Sequence, residues 1–252
     1  MKTSNHLLRR LTAALLAAVL ALSIALPVFA SDDGDTIYIN SVSDLLSLAR
    51  NCAYDQWSVG KTVILQKDLS LEGMLWEPIP SFSGQFKGNG HTISDLTITG
   101  QYSPAGLFGI VEEQGSIESL SVRGVVSVSD SADTTTGGIV GVNHGTLINC
   151  QFTGVVTGDS EVGGIVGRNE SEGTIDHSTA RAIVTGKSST GGIAGYNLGA
   201  ITGCTNVGSI NTEYPEASLD TDGFTAKMVD YINNKMAAAD NDATNSVTNV
   251  AT

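Results

Sequence analysis

Basic side chains are scarce in this chain. Its 252 residues include 13 lysines and arginines against 26 aspartates and glutamates, which gives a formal net charge of −13. Three of the basic residues lie within residues 1–30, where there is no acidic residue, so the remainder is more acidic still. Proteins that bind nucleic acids or anionic membranes need clustered Lys and Arg to neutralise phosphate. We therefore expect no nucleic-acid partner.

The sequence also lacks the short motifs of common catalytic and metal sites. It has no HExxH zinc motif, no GxSxG nucleophile elbow, no GxxxxGK[ST] phosphate loop and no CxxC pair. Its GGIVG strings do not have the GxGxxG spacing of a dinucleotide loop, and no Asp follows them as in the calcium-binding nonapeptide. We expect neither a cofactor nor a metal ion.

The chain does contain a short phrase that recurs five times: TISDLTITG, SIESLSVRG, TLINCQFTG, TIDHSTARA and AITGCTNVG. The anchoring residues are Ile93, Ile117, Leu147, Ile175 and Ile201, which are 24, 30, 28 and 26 residues apart. This period is typical of one coil of a solenoid. Aligning the copies predicts two inward columns: Leu96, Leu120, Cys150, Ser178 and Cys204, and Ile98, Val122, Phe152, Ala180 and Asn206.

A second repeated element precedes the phrase. It reads GLFG at 106–109, GGIVG at 137–141 and 163–167, and GGIAG at 191–195, and the last three continue into Gly-x-Asn. Asn tolerates left-handed backbone and bonds to neighbouring backbone groups, so Asn143, Asn169 and Asn197 are predicted to stack as an internal amide ladder at a left-handed corner. The x positions, Val142, Arg168 and Tyr196, form an outward column that could contact a partner.

The GLFG sequence and the GGIVGxN pattern resemble the GLUG-motif repeats of bacterial cell-surface proteins, some of which are adhesin-like. Residues 76–98, WEPIPSFSGQFKGNGHTISDLTI, resemble the segment that commonly precedes such repeats, so the resemblance covers roughly 76–211. It implies an all-β fold, a right-handed parallel β-helix (a β-solenoid of the pectin-lyase-like type). The columns predict the same fold independently, with five to six coils and short helical segments at both ends.

Residues 1–30 have the pattern of a signal peptide. A basic start is followed by a 16-residue hydrophobic stretch, Leu11–Leu26, and by Val28-Phe29-Ala30, which fits a small-residue cleavage site. A spanning helix needs about 20 apolar residues, so cleavage is favoured over a retained anchor. The prediction is an extracellular or cell-surface protein with no transmembrane anchor after signal cleavage.

Two further segments flank the predicted β-helix at 62–211. Residues 31–61 are predicted to form an N-terminal cap with a short helix that carries Leu45, Leu46 and Ala49 on one side and begins at Ser41 or Ser43. Residues 212–252 are predicted to be a C-terminal helical cap or linker with a disordered tail. The helix would cover 221–239, because apolar residues recur there every four positions: Phe224, Met228, Ile232 and Met236. Alternatively, the chain is the truncated N-terminal part of a larger surface protein.

The three cysteines are Cys52, Cys150 and Cys204. Cys150 and Cys204 share a column but lie two coils apart, which separates their Cα atoms by about 10 Å. A disulfide needs less than about 7 Å. We therefore interpret both as small buried fillers, and Cys52 as a helix residue without an obvious mate.

Parallel β-helices also host polysaccharide lyases and glycoside hydrolases, so an enzyme is the competing hypothesis. The weak candidates for a catalytic site are Glu118 and Asp176, which share an outward column, and His177, which adjoins Asp176. Two coils would put the carboxylates about 10 Å apart, outside the roughly 6.5–9.5 Å of an inverting pair. The favoured function is a noncatalytic module for adhesion, interaction or spacing, with an extracellular protein or glycan as its partner.

Overall fold

The computed structural model describes residues 35–54, 56–128 and 134–211. These all belong to the compact unit that begins at Asp35. The predicted signal peptide at 1–30 and the predicted C-terminal helix at 221–239 lie outside the described residues. Within the described part, no helix is long and apolar enough to cross a membrane.

Four parallel sheets make up the described fold. Sheet A contains β1 (Thr36–Ile39), β2 (Thr62–Leu65), β5 (Gln85–Lys87), β8 (Ser116–Glu118), β12 (Thr146–Ile148), β16 (Thr174–Asp176) and β20 (Ala200–Thr202). Sheet B contains β3 (Leu69–Ser70), β6 (Thr92–Gly100), β9 (Ser121–Val128), β13 (Gln151–Thr157), β17 (Thr179–Thr185), β21 (Thr205–Asn206) and β22 (Ser209–Ile210). Sheet C contains β4 (Ile79–Phe82), β7 (Phe108–Val111), β11 (Val140–Asn143), β15 (Val166–Asn169) and β19 (Ala194–Asn197). Sheet D contains β10 (Thr135–Gly137), β14 (Glu161–Gly163) and β18 (Thr190–Gly191).

From β4 onward, the chain visits sheets C, A and B in that order. From β10 onward, a strand of sheet D follows sheet B before the next coil begins in sheet C. Every strand therefore pairs in parallel with its equivalent in the coil before or after. This arrangement confirms the predicted parallel β-helix. A parallel sheet requires a long crossover between paired strands. Between β1 and β2 a connection with a helix supplies it, and in the following coils the other strands of the coil do.

From the second copy of the phrase onward, the register follows the predicted columns. Phe152 pairs with Val122 on one side and Ala180 on the other, and all three are fully buried. Ile117, Leu147 and Ile175 form the neighbouring buried column in sheet A. The alternation of strand side chains sends their neighbours outward.

The first copy of the phrase departs from the predicted columns. Ile93 does not lie in the column of Ile117, because Phe86 occupies that place in sheet A; Ile93 lies in sheet B opposite Val122. A turn at residues 88–91 lengthens the corner before β6, and a bulge between Ile93 and Leu96 places Leu96 opposite Gly124. Asp95, inside the bulge, has a positive φ of 60°, consistent with an extra residue inserted in one strand.

Aromatic side chains fill the core of the first coils. The rings of Phe82, Phe86 and Phe108 lie 5.4–6.3 Å apart in tilted and edge-on arrangements. Buried Trp76 donates its indole N–H to the carbonyl oxygen of Leu107 at 3.1 Å, as a buried indole requires. Among the later coils, the coil that contains β13 also buries an aromatic ring, that of Phe152.

The helix α1 (Val42–Asn51) begins at Ser41, whose side chain accepts a hydrogen bond from the Asp44 N–H at 3.2 Å. The Asp44 carboxylate accepts from the Asn40 N–H, and this bond lowers the pKa of Asp44. Leu45 and Leu48 are buried on the inner side of the helix. The helix was expected to precede the coils, but β1 comes first and pairs with β2. Sheet A therefore starts at Thr36, ahead of the predicted boundary at 62, and the helix lies in the connection between its first two strands.

Candidate interaction surfaces

The three predicted ladder residues, Asn143, Asn169 and Asn197, are joined by hydrogen bonds between their side chains. Asn143 Nδ2 donates to Asn169 Oδ1 at 2.7 Å, and Asn169 Nδ2 donates to Asn197 Oδ1 at 2.8 Å. Each Nδ2 also donates to a backbone carbonyl oxygen a few residues further along the chain. Asn143 Oδ1 is buried without a hydrogen-bond partner, because the paired residue in the preceding coil is Val111.

The left-handed conformation expected at these asparagines is absent, since all three have negative φ and end ordinary strands. The corner with positive φ lies instead between sheets A and B. It consists of Asn89, Ser119, Asn149, His177 and Gly203, whose φ values lie between 46° and 62°. The predicted left-handed corner, at the recurring Asn of Gly-x-Asn, is therefore wrong. The observed left-handed position is hard to recognise in the sequence, because its residue type changes in nearly every coil.

This corner gives a test of backbone strain at His177. A β-branched residue is strongly disfavoured at positive φ, whereas Asn tolerates it. We expect His177→Val to lower the free energy of unfolding by about 1–2 kcal/mol, and His177→Asn to be neutral or slightly stabilising. Urea denaturation measures both. Thr179→Val, at an outward strand position, should have little effect; a loss as large as that of His177→Val would contradict the strain argument.

The weak catalytic candidates do not converge. Glu118 and Asp176 share an outward column of sheet A, but Ile148 lies between them in register, which separates the two carboxylates by about 10 Å. His177 Nδ1 lies 2.8 Å from Asp176 Oδ1, with 69% of the His177 side chain exposed. The structure thus brings Asp176 and His177 together and leaves Glu118 apart. Among the described residues, no cluster of three or more His, Cys, Asp or Glu side chains could hold a metal ion.

The outward column of sheet C carries a charged network around Arg168. Arg168 Nε donates to Glu170 Oε1 at 2.6 Å, and Nη1 donates to Glu161 Oε1 at 2.7 Å. The bond to Glu170 is the main cause that raises the pKa of Arg168. The guanidinium also lies 4.8 Å from the centre of the Tyr196 ring, within the range of a cation–π contact. The sequence singled out Arg168 and Tyr196 but missed both glutamates, which come from a different strand and from the loop after β15.

The C-terminal end of sheet C exposes apolar side chains beside this network. Tyr196 is 38% exposed and Leu198 is 50% exposed. Tyr196 follows Arg168 in register, and Val142 precedes it. The surface formed by Arg168, Tyr196 and Leu198, called here the sheet C patch, combines an aromatic ring, a guanidinium and an aliphatic side chain. Tyr and Arg are enriched in binding hot spots.

A polar cleft of about 460 Å³ lies elsewhere, between the loop after α1 and the corner that follows β7. Its lining residues are Gln56, Val59, Ser81, Ser83, Glu112, Glu113 and Gln114. Ser81 Oγ donates to Glu112 Oε1 at 2.7 Å. The two glutamates are the titratable groups of this lining, and neither belongs to the Glu118, Asp176 and His177 set.

All three cysteines are free and buried. Burial raises the pKa of Cys52 to about 11 and that of Cys150 to about 12, and it also raises the pKa of Cys204. Cys150 Sγ lies 3.4 Å from the carbonyl oxygens of Ile117 and Ile148. These thiols are therefore small core residues.

The buried thiols predict slow alkylation of the native protein. At pH 8, a thiol with a pKa of about 12 is ionised to roughly one part in 10⁴, and the thiolate is the reactive species. We expect the three cysteines to react with a maleimide on the timescale of unfolding in buffer, and within minutes in guanidinium chloride. Mass spectrometry of the labelled chain measures this. Rapid labelling of Cys150 under native conditions would contradict its placement in the core.

Comparison with known proteins supports the assignment of the repeat. Residues 158–185, which run from the end of β13 through β17, match the model of the GLUG motif. The chain is 31% identical over 155 residues to halomucin of Haloquadratum walsbyi, a match that covers 56% of this chain and 2% of halomucin. It is 29% identical over 137 residues to a protein of Evansella cellulosilytica named as a Gly-rich membrane protein, covering 39% of this chain and 16% of that protein.

A solved structure also matches, with a TM-score of 0.45 and 16% identity. It is a protein of Bacteroides ovatus described as an immunoglobulin A1 protease, and the match covers 73% of this chain and 79% of that one. The chain spans only a small part of the length of both sequence relatives. The predicted repeat is thus confirmed: this chain carries a GLUG motif within a parallel β-helix.

Proposed function

We propose that this chain is a noncatalytic β-helix module of a secreted or cell-surface protein, and that it binds an extracellular protein or glycan through the outer faces of its sheets. Its similarity to a halomucin and to a protein named as a membrane protein supports a place at the cell surface. The signal-peptide pattern of residues 1–30 supports export.

The geometry of the outer faces is the observation that carries this proposal. Parallel pairing places equivalent outward side chains in rows about 4.8 Å apart, so each sheet presents a flat, regular surface. The sheet C patch lies on one of these surfaces, whereas the acidic candidates Glu118 and Asp176 are separated by Ile148. A flat surface with an exposed aromatic ring suits association better than turnover of a bound substrate.

The sheet C patch is the proposed contact site. Tyr196 stacks against Arg168, which is itself held by Glu161 and Glu170. The ring and the guanidinium are thus positioned before a partner arrives, which reduces the entropy lost on binding. Leu198 extends the apolar part of the patch.

Binding assays with variants of the patch test the proposal. The full chain would be immobilised and exposed to pectin, chitin, peptidoglycan and a mucin glycoprotein, and bound ligand measured by biolayer interferometry. We expect binding to at least one of them, weakened at least about tenfold when Tyr196→Ala and Leu198→Ala remove the apolar contacts. Tyr38→Ala, which removes an exposed tyrosine from sheet A, is the matched control and should bind normally.

Two outcomes would overturn the proposal. Binding that falls equally in the Tyr38→Ala control would show that the sheet C patch is not the contact site. Release of reducing ends or unsaturated sugars from these polysaccharides, lost in Glu118→Gln or Asp176→Asn, would make the chain a carbohydrate-active enzyme.

A further inference from the structure

A small apolar cluster lies on the outer face of sheet B, separate from the main core. It consists of Val125, Val155 and Ile183, which pair in register across β9, β13 and β17. Their chain neighbours Val126, Val156 and Val184 belong to the main core. Strand alternation therefore directs the three side chains of this cluster away from the core.

These outward side chains are nevertheless well shielded. Val125 is 5% exposed and Val155 is 4% exposed. Neighbouring strands of one sheet cover a side chain from its flanks, but burial to this extent also requires atoms above the sheet. By contrast, Ile148 on the outer face of sheet A is 36% exposed.

The described part of the chain ends beside this cluster. Strand β22 pairs with β17, with Ser209 opposite Ile183. The Asn211 N–H donates to the Val184 carbonyl oxygen at 2.8 Å, and Asn211 Oδ1 accepts from the Gly186 N–H. The next residues of the chain therefore start at the edge of the outer face of sheet B.

Residues 212–252 have the composition to cover this face. The segment 221–239 carries the apolar stripe Phe224, Met228, Ile232 and Met236. As the predicted helix, its 19 residues would be about 28 Å long, similar to the roughly 23 Å of the seven-residue strand β13. The nine residues that precede it, 212–220, can span up to about 30 Å, which is enough to return the segment over the sheet.

Charge is compatible with the same pairing. The outward positions of β9, β13 and β17 carry no carboxylate, so an acidic segment meets no like charge there. Residues 212–252 contain seven aspartates and glutamates and two lysines.

We propose that residues 221–239 dock on the outer face of sheet B and cover the column of Val125, Val155 and Ile183. The segment then acts as a lateral cover for the β-helix, not only as a cap on its last coil. It also leaves the outer faces of sheets A and C for partners.

Cysteine protection in the full chain tests this docking. Val155→Cys places a thiol in the covered column, in a protein whose native cysteines are buried. It would be combined with Phe224→Ser, Met228→Ser and Ile232→Ser, which remove the stripe without shortening the chain. We expect maleimide to modify Cys at 155 at least tenfold faster when the stripe is removed, with unchanged far-ultraviolet dichroism from the β-helix.

Matched controls separate docking from general loosening. Thr146→Cys, on the outer face of sheet A, should react quickly with or without the stripe, and Val156→Cys, in the main core, should react slowly in both. Thr225→Ser, Ala226→Ser and Asn233→Ser, which lie off the stripe, should leave the rate at 155 unchanged. Equal rates at 155 with and without the stripe would overturn the proposal, as would protection at 155 that rises with protein concentration and so reveals a second copy.

Discussion

Phe152→Asp is expected to destabilise the β-helix by at least about 3–5 kcal/mol, which combines the loss of a large buried side chain with the burial of a charge. Phe152 is fully buried in the middle of its column, between Val122 and Ala180. A side chain added at Gly138 would clash with the Phe152 ring, so the ring is also closely packed against the connection between β10 and β11. No basic group faces this position from the neighbouring strands of the column.

Thr153→Asp is the matched control for this prediction. Thr153 points outward from the same strand, with Arg123 and Arg181 in register on either side. A carboxylate there would lie between two guanidinium groups, so we expect a change within about 0.5 kcal/mol. Urea denaturation of both variants, followed by far-ultraviolet dichroism, measures the difference. If the two substitutions destabilise the protein equally, Phe152 does not face the core.

The coils from residue 117 onward were predictable because their sequence repeats at the same structural position. The columns of Ile117 and Val122 follow from the copies alone, since each copy has the same corner between sheets A and B. The first copy was not predictable in this way, because its sequence matches the other copies while its backbone geometry differs from theirs. A longer turn at residues 88–91 and a bulge before Leu96 shift β6 relative to β9, and neither insertion is visible when the copies are aligned by similarity.

The candidate sites were predictable to a more limited extent. The repeating Gly-x-Asn identifies the residues of the amide ladder, because one residue type recurs at one position. The left-handed corner shows no such recurrence, since it is occupied by Asn149, His177 and Gly203 in successive coils. The partners of Arg168 were also missed: Glu161 comes from sheet D and Glu170 from the loop after β15, so no repeat column contains them.

Asn169→Val is expected to cost about 3 kcal/mol, more than the same change at either end of the ladder. Asn169 accepts from Asn143 Nδ2 and donates to both Asn197 Oδ1 and the Gly173 carbonyl oxygen. When Asn169 is replaced, Asn197 Oδ1 and the Gly173 carbonyl oxygen each lose a hydrogen-bond donor. A buried group left unpaired costs about 1–3 kcal/mol, and a strand position with negative φ adds no strain for Val.

Asn143→Val and Asn197→Val are each expected to cost about half as much. Asn143 Oδ1 already lacks a partner, so its replacement also removes an existing unpaired acceptor. Asn197 is only partly buried, and water can reach the groups that it leaves. Thermal unfolding of the three variants, with Arg168→Ala as an outward-facing comparison, gives the order directly. If Asn169→Val proved no more harmful than the terminal variants, the side-chain bonds along the ladder would contribute little to stability, and the backbone bonds to Gly145, Gly173 and Gly199 would be the interactions that matter.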